Sequence, residues 1–278
     1  MSAPAPTNIA SRGSSLRWLI SDSLVIAGRS IAHIRQIPEK LIDVTLQPIM
    51  FVILFAFVFG GVIAVPGGDY REYLIGGILV QTIAFGMVGP AGSIATDIGE
   101  GIIDRFRALP MSRFAYLLGH LAAELGGMVL AIAVLSLSGL IVGWQIDSSL
   151  GDAVCGYLVL ILFAVVMTII GTLVGLVSRS ADAVMGPAFL IVFPMTFLAS
   201  TFVPIDGLPD GLRQIAEWNP VSALAAATRE LFGNPTATPA DPAWPLAHPI
   251  AASLIWCAGL IAIAAPLTVR AFRKRTTD

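Results

Sequence analysis

The sequence predicts an all-α, polytopic membrane protein, and three observations carry that expectation. The 278 residues are 56% hydrophobic and only 12% charged, with a mean hydropathy of +0.85, far too apolar for a soluble domain of this size. Six uncharged stretches are each long enough to cross a hydrocarbon core of ~30 Å as a helix. They are unbroken apolar runs rather than ten-residue alternations, which excludes an outer-membrane barrel.

Residues 1–15, rich in Ser, Ala, Pro and Thr, read as a disordered tail. Over 16–44 the pattern changes. Leu16, Ile20, Leu24, Ala27, Ile31 and Ile34 recur at helical spacing, while Arg17, Ser21, Asp22, Arg29 and His33 fall elsewhere. This predicts an amphipathic helix on the inner membrane surface, broken at Pro38, with a short turn through Glu39, Lys40 and Asp43 leading into the lipid. No apolar core of a cleavable signal precedes the first span, which is expected to direct insertion itself.

A membrane domain occupies 45–270, with spans expected at 45–65, 73–96, 125–142 (extended back toward Tyr116), 153–177, 183–203 and 249–269. The first carries Phe51, Phe55, Phe57 and Phe59 and leaves through an external turn, Pro66 to Asp69. The second is dense in small residues, Gly76, Gly77, Gly86, Gly89 and Gly92, which allow close helix approach in lipid, and Pro90 bends it. In the third, His120 and Glu124 are the ionisable residues placed deepest. Such groups are costly in lipid and often functional, although near the inner surface they can also reach headgroups.

The fourth span returns through Gly171 and Gly175 to a tight turn, Ser178 to Asp182. Fifth comes a short stretch interrupted by Pro187 and Pro194 among Phe189, Phe193, Phe197 and Phe202. Broken helices of this kind mark pathways or hinges, provided neighbours re-satisfy the freed carbonyls. Residues 203–248 are too polar to cross. They hold two helix-length pieces, Leu208 to Trp218 and Val221 to Phe232, meeting at Asn219-Pro220, which predicts a hairpin capping the outer side. Trp218 and Trp244 suit an interfacial belt, and Arg229 with Glu230 is read as paired within the hairpin or solvated. A basic cytoplasmic tail, 271–278, ends the chain.

Orientation follows from the bases. With the amino terminus inside, thirteen Lys and Arg fall on inner segments and only Arg71, Arg213 and Arg229 outside, which places both termini in the cytoplasm. The loop between spans two and three, 97–113, faces the same side. There Glu100 and Asp104 stand at i and i+4, Arg105 and Arg107 follow, and Pro110 stops what reads as a short helix outside the lipid. Cys155 and Cys257 lie in apolar surroundings and indicate neither a disulfide framework nor a metal site. Neither lysine, Lys40 or Lys274, follows a glycine, so there is no phosphate-gripping loop, and no hydrolase or zinc motif is present. Energy for uphill transport must come from a second protein.

The stretch Glu100-Gly-Ile-Ile-Asp104-Arg105-Phe-Arg107-Ala-Leu-Pro110-Met-Ser112 resembles the signature loop of the type-2 ABC exporter permeases, and within them the daunorubicin-resistance (DrrB-like) group. A second match is Phe202-Val-Pro204, Leu208-Pro209 and Asn219-Pro220-Val-Ser222 through Arg229-Glu-Leu-Phe-Gly233, similar to the family's external segment before the last span. The resemblance implies a bacterial plasma (inner) membrane permease, paired with an identical or homologous second permease and with two cytoplasmic ABC ATPase subunits. It makes 97–113 the coupling helix, with Glu100, Gly101, Asp104, Arg105, Arg107 and Pro110 meeting the ATPase, and the helix from Leu16 a connecting helix. This chain then binds no cofactor, ATP and Mg belonging to the ATPase, and has no nucleic-acid partner.

The implied cargo is a hydrophobic or amphipathic compound, whether drug, antibiotic or lipid-like, moved outward between two permease copies. Phe51, Phe55, Phe189, Phe193 and Glu124 are the candidate path residues. The alternative is a secondary transporter or channel not driven by ATP, against which the scarcity of buried ionisable groups argues. An enzyme acting on lipid-linked substrates would need clustered acids or histidines, and none is found.

Overall fold

The computed structural model describes residues 38–60, 63–102 and 113–275, so the amphipathic helix expected upstream of Pro38 lies outside them. Every regular element among the described residues is helical. Helix α1 (Pro38–Val58) starts on Pro38, where a missing N–H costs nothing. The separate turn expected at Glu39, Lys40 and Asp43 is therefore the opening of α1 itself, and the helix ends before residue 65.

Asp69 caps α2 (Tyr70–Phe85), its Oδ1 accepting from the Arg71 N–H at 2.8 Å. The second expected span proves to be two helices, α2 and α3 (Val88–Gly99). Pro90 lacks an N–H, and its ring presses on the carbonyl four residues back, Gly86. The break sits there, where Met87 N–H and Gly89 N–H make 3.3 Å bonds to Ala84 and Gly86. Counted as one, Tyr70–Gly99 is a 30-residue candidate span.

Three further helices are long and apolar enough to cross: α4 (Arg113–Val142, apolar from Tyr116), α5 (Leu150–Val177) and α10 (Pro249–Arg275). Helix α6 (Met185–Phe197), entered through a 3-10 turn at Asp182–Val184, has 13 residues. That is only ~20 Å of helix. The described residues thus contain four candidate spans and two shorter apolar helices, Ile49–Val58 and Asp182–Phe197.

Helix α2 is the axis of the bundle. The apolar stretch of Tyr70–Gly99 is 72% buried and that of α10 is 22% buried, which puts the first at the centre and the second at the rim. A helix apolar on all sides needs such a position, and Tyr73, Leu74, Ile78, Leu79 and Ile83 fill the core around it.

The outer hairpin is built differently from the expected cap. Helix α7 (Asp210–Glu217) does lie at the surface, where Arg213 Nε meets Glu217 Oε1 at 3.0 Å and the carboxylate raises the guanidinium above its ordinary value. Its partner α8 (Pro220–Phe232) folds back into the bundle against α2, α5 and α10, and its residues from Val221 to Arg229 are buried. Gly233, at φ 73°, terminates it in the left-handed region. A last turn, α9 (Trp244–Ala247), precedes α10.

Candidate functional site

The buried face of α8 explains how α6 can stop short. Pro194 lies inside α6, and the chain leaves helical geometry at Leu198, which strands carbonyls in an apolar interior. Asn219 Nδ2 donates to the carbonyls of Met195 (2.7 Å) and Leu198 (3.1 Å). Ser222 Oγ accepts from the Ser200 N–H at 3.0 Å. Arg229 Nη2 donates to the carbonyls of Ser200 (2.8 Å) and Thr201 (3.0 Å). These three polar residues sit about 300° and 280° around the helix from Asn219, which puts them on one face. That row serves the carbonyls where α6 ends, from Met195 to Thr201, and not those that Pro187 and Pro194 leave without a helical donor, Ala183 and Leu190.

Arg229 was expected near the outer surface, paired or solvated; it is wholly buried. Its Nε also donates to the Tyr73 carbonyl at 2.8 Å, and its guanidinium carbon lies 3.5 Å from the centroid of the Tyr73 ring. Space for it comes from α2: a Cβ at Gly76 would meet the Arg229 side chain at 2.8 Å, and one at Gly77 would run into the Thr201 carbonyl. The sequence carries little signal for this site, because Ser222 and Arg229 share the helix with Thr228 and Glu230 and the groups they serve are backbone atoms.

At the opposite end of the bundle, α3 finishes with Glu100 and Gly101. The Glu100 N–H closes on Thr96 at 2.9 Å, and Gly101, at φ 65°, turns the chain out of the helix. Glu100 is exposed there. Asp104, Arg105, Arg107 and Pro110 lie outside the described residues.

Glu100 is tied to the spans by a polar seam between α3 and α4. Ser93 Oγ donates to Glu124 Oε1 at 2.6 Å, and the Tyr116 hydroxyl donates to Asp97. The buried His120 ring lies nearly parallel to that of Tyr116, with centroids 6.4 Å apart. A small apolar core of Ile94, Tyr116, Leu117, Leu176 and Phe272 packs beneath it. Helix α10 closes this end: Arg275 donates to the carbonyls of Leu176 (3.1 Å) and Ser178 (2.9 Å), the last acceptors of α5.

Four of the five candidate path residues lie along α1 and α6. Phe51 stacks on Phe55 at 5.8 Å, Phe55 on Phe202 at 4.4 Å, Phe202 tilts against Phe197 at 6.1 Å, and Phe197 stacks on Phe193 at 4.2 Å. One continuous aromatic wall therefore joins Phe51 and Phe55 to Phe193, through two rings that were not singled out for it. Phe189 stands apart, edge-on to Phe85 of α2 at 5.9 Å. Phe189, Phe193 and Phe197 remain exposed. Glu124 belongs to the α3–α4 seam and not to this wall.

Comparison with known proteins bears on both ends. The ABC-2 type transporter family matches residues 23–232. The daunorubicin resistance ABC transporter permease protein DrrB1 of Streptomyces coeruleorubidus is 31% identical over 258 residues, 92% of this chain and 87% of its own length. The doxorubicin resistance ABC transporter permease protein DrrB of Mycobacterium tuberculosis is 24% identical, covering 78% of this chain and 77% of its own. The inner membrane transport permease YadH of Escherichia coli is 22% identical, covering 69% and 76%. Match and architecture agree, and the chain belongs to the ABC-2 type transporter family, as a membrane permease of an ABC transporter.

Proposed function

We propose that this chain is the permease subunit of an ATP-driven exporter that moves a hydrophobic or amphipathic compound, such as a drug, antibiotic or lipid-like molecule, outward across a bacterial inner membrane. Two permease copies, identical or related, work with two cytoplasmic ATPase subunits, which bind ATP and Mg and carry out hydrolysis. The observation that carries the reading is the exposed Glu100 at the end of α3, on a helix bonded into α4 through Ser93–Glu124 and Tyr116–Asp97. A push at that point reaches the spans through short, charge-assisted hydrogen bonds.

In this reading 97–113 is the coupling helix, on which Glu100, Gly101, Asp104, Arg105, Arg107 and Pro110 meet the ATPase, and both termini are cytoplasmic. Helices α1 and α6, too short in their described apolar parts to compare with the other four, supply the remaining two of six crossings. Their exposed aromatic wall, with Phe51, Phe55, Phe189 and Phe193, faces the second permease and the cargo. The drug-resistance names of two relatives support the cargo class.

The test is reconstitution in sealed vesicles with an ABC ATPase subunit. Accumulation of a fluorescent amphipathic drug should need ATP, Mg and both proteins. Accumulation by the permease alone, driven by an ion gradient, would overturn the proposal.

A further inference from the structure

The guanidinium of Arg229 is buried without a carboxylate. Its Nε and Nη2 are spent on the backbone carbonyls of Tyr73, Ser200 and Thr201, and among the described residues no acid lies within ion-pair distance. Carbonyl dipoles and the Tyr73 ring lower the cost of this charge without neutralising it. Three buried polar atoms in this region lack a partner: Arg229 Nη1, the Tyr70 hydroxyl and the Ser200 Oγ. Their residues surround one contact, because Tyr73 and Ser200 both bond Arg229 and Tyr70 stands about one helical turn before Tyr73. The Tyr70 and Tyr73 rings are 6.4 Å apart and inclined by 27°, the Tyr73 hydroxyl donates to the Ser200 carbonyl at 2.7 Å, and the Arg229 charge acts on both phenols.

All three orphans can donate: Nη1 carries two N–H groups, and each hydroxyl one O–H. A buried set with donors to spare and a net positive charge lacks an electron-rich acceptor. We propose that the α2–α8 contact at Tyr70, Ser200 and Arg229 is an internal site for one small monovalent anion, chloride in the cell, which neutralises the guanidinium and accepts from both hydroxyls. The field of Asp206 also acts on Tyr73, and that acid is itself exposed to solvent. The anion is structural: it stabilises the seat of α8 on α2, and hence the exit of α6.

The experiment compares thermal unfolding of the purified full chain in detergent as sodium chloride replaces sodium gluconate at constant ionic strength. Binding to the folded state alone predicts a saturable rise of the midpoint. The double variant Tyr70→Phe, Ser200→Ala keeps the charge and should lose that dependence, and Tyr70→Phe alone should weaken it if the double variant does not fold. A midpoint indifferent to chloride, a rise that never saturates, or an equal rise in the variants would overturn the site. So would bromide-soaked crystals showing no anomalous peak beside Arg229 Nη1, where an ordered water would then stand.

Discussion

The guanidinium of Arg229 lies 3.5 Å from the centroid of the Tyr73 ring while its Nε donates to the carbonyl of that same residue, so one side chain grips both the face and the backbone of its partner. The grip joins α8 to the central helix, and through Nη2 it also holds the two carbonyls after α6.

Replacing Arg229 by Met should therefore cost about 1–3 kcal/mol, because it leaves buried carbonyls without their donor. Gly77→Ala should cost about 1–3 kcal/mol, because its Cβ would run into the Thr201 carbonyl. Gly92→Ala, with nothing within 4 Å, should be neutral or stabilising by up to about 1 kcal/mol. Thermal unfolding in detergent checks all three, and equal midpoints for Gly77→Ala and Gly92→Ala would contradict the notch.

Glu100→Ala should leave folding intact, since the side chain is exposed at a helix end, yet abolish export. In vesicles containing the ATPase, hydrolysis should continue while drug accumulation falls to the level without ATP. Arg105→Ala should behave alike. Full export by both variants would remove the coupling role from this loop.

Glu124 has its acceptor role satisfied by Ser93, which makes a structural contribution measurable. Glu124→Gln keeps an acceptor oxygen and should retain stability and export. Glu124→Ala strands the Ser93 hydroxyl and should cost about 1–2 kcal/mol. An export defect in Glu124→Gln at unchanged stability would show that the charge itself serves transport.

The aromatic wall separates packing from passage. Phe55 touches Phe51, Phe59 and Phe202, so Phe55→Ala should lower the unfolding midpoint. Half-exposed Phe193 makes one close ring contact, with Phe197, so Phe193→Ala should leave stability within about 1 kcal/mol but change the apparent affinity for cargo. Unaltered export kinetics would assign that ring to lipid.

Much of the architecture was legible because its causes are local. Apolar run length marks α4, α5 and α10, Asn219 and Pro220 mark the start of α8, and Pro90 marks a disturbance in the second span. What escaped is set by tertiary contact. The break falls at Gly86–Met87 because a proline acts on the turn before it, and α6 ends at Phe197 because side chains of α8 stand ready for its carbonyls. Arg229 looked like a surface charge because its receptors are backbone atoms, which leave no trace in residue identity. The same holds for Asp97, which reads as a loop acid and proves to be the acceptor of Tyr116. Phe51, Phe55 and Phe193 belong to one series of rings only through Phe202 and Phe197, a link that packing alone reveals.

The interruption between α2 and α3 makes a mechanical division. Below it, α3 is bolted to α4 by two side-chain bonds and to α5 by backbone nesting, since a Cβ at Gly171 or Gly175 would collide with the carbonyls of Met87 or Ala91. Above it, α2 is pinned to α8 by an arginine while also packing on α4 and α5. A load at Glu100 is in line first with α3 and its partners α4 and α5, and the first interruption of helical hydrogen bonding along that span stands at Gly86–Met87, with Met87 itself seated against Gly171.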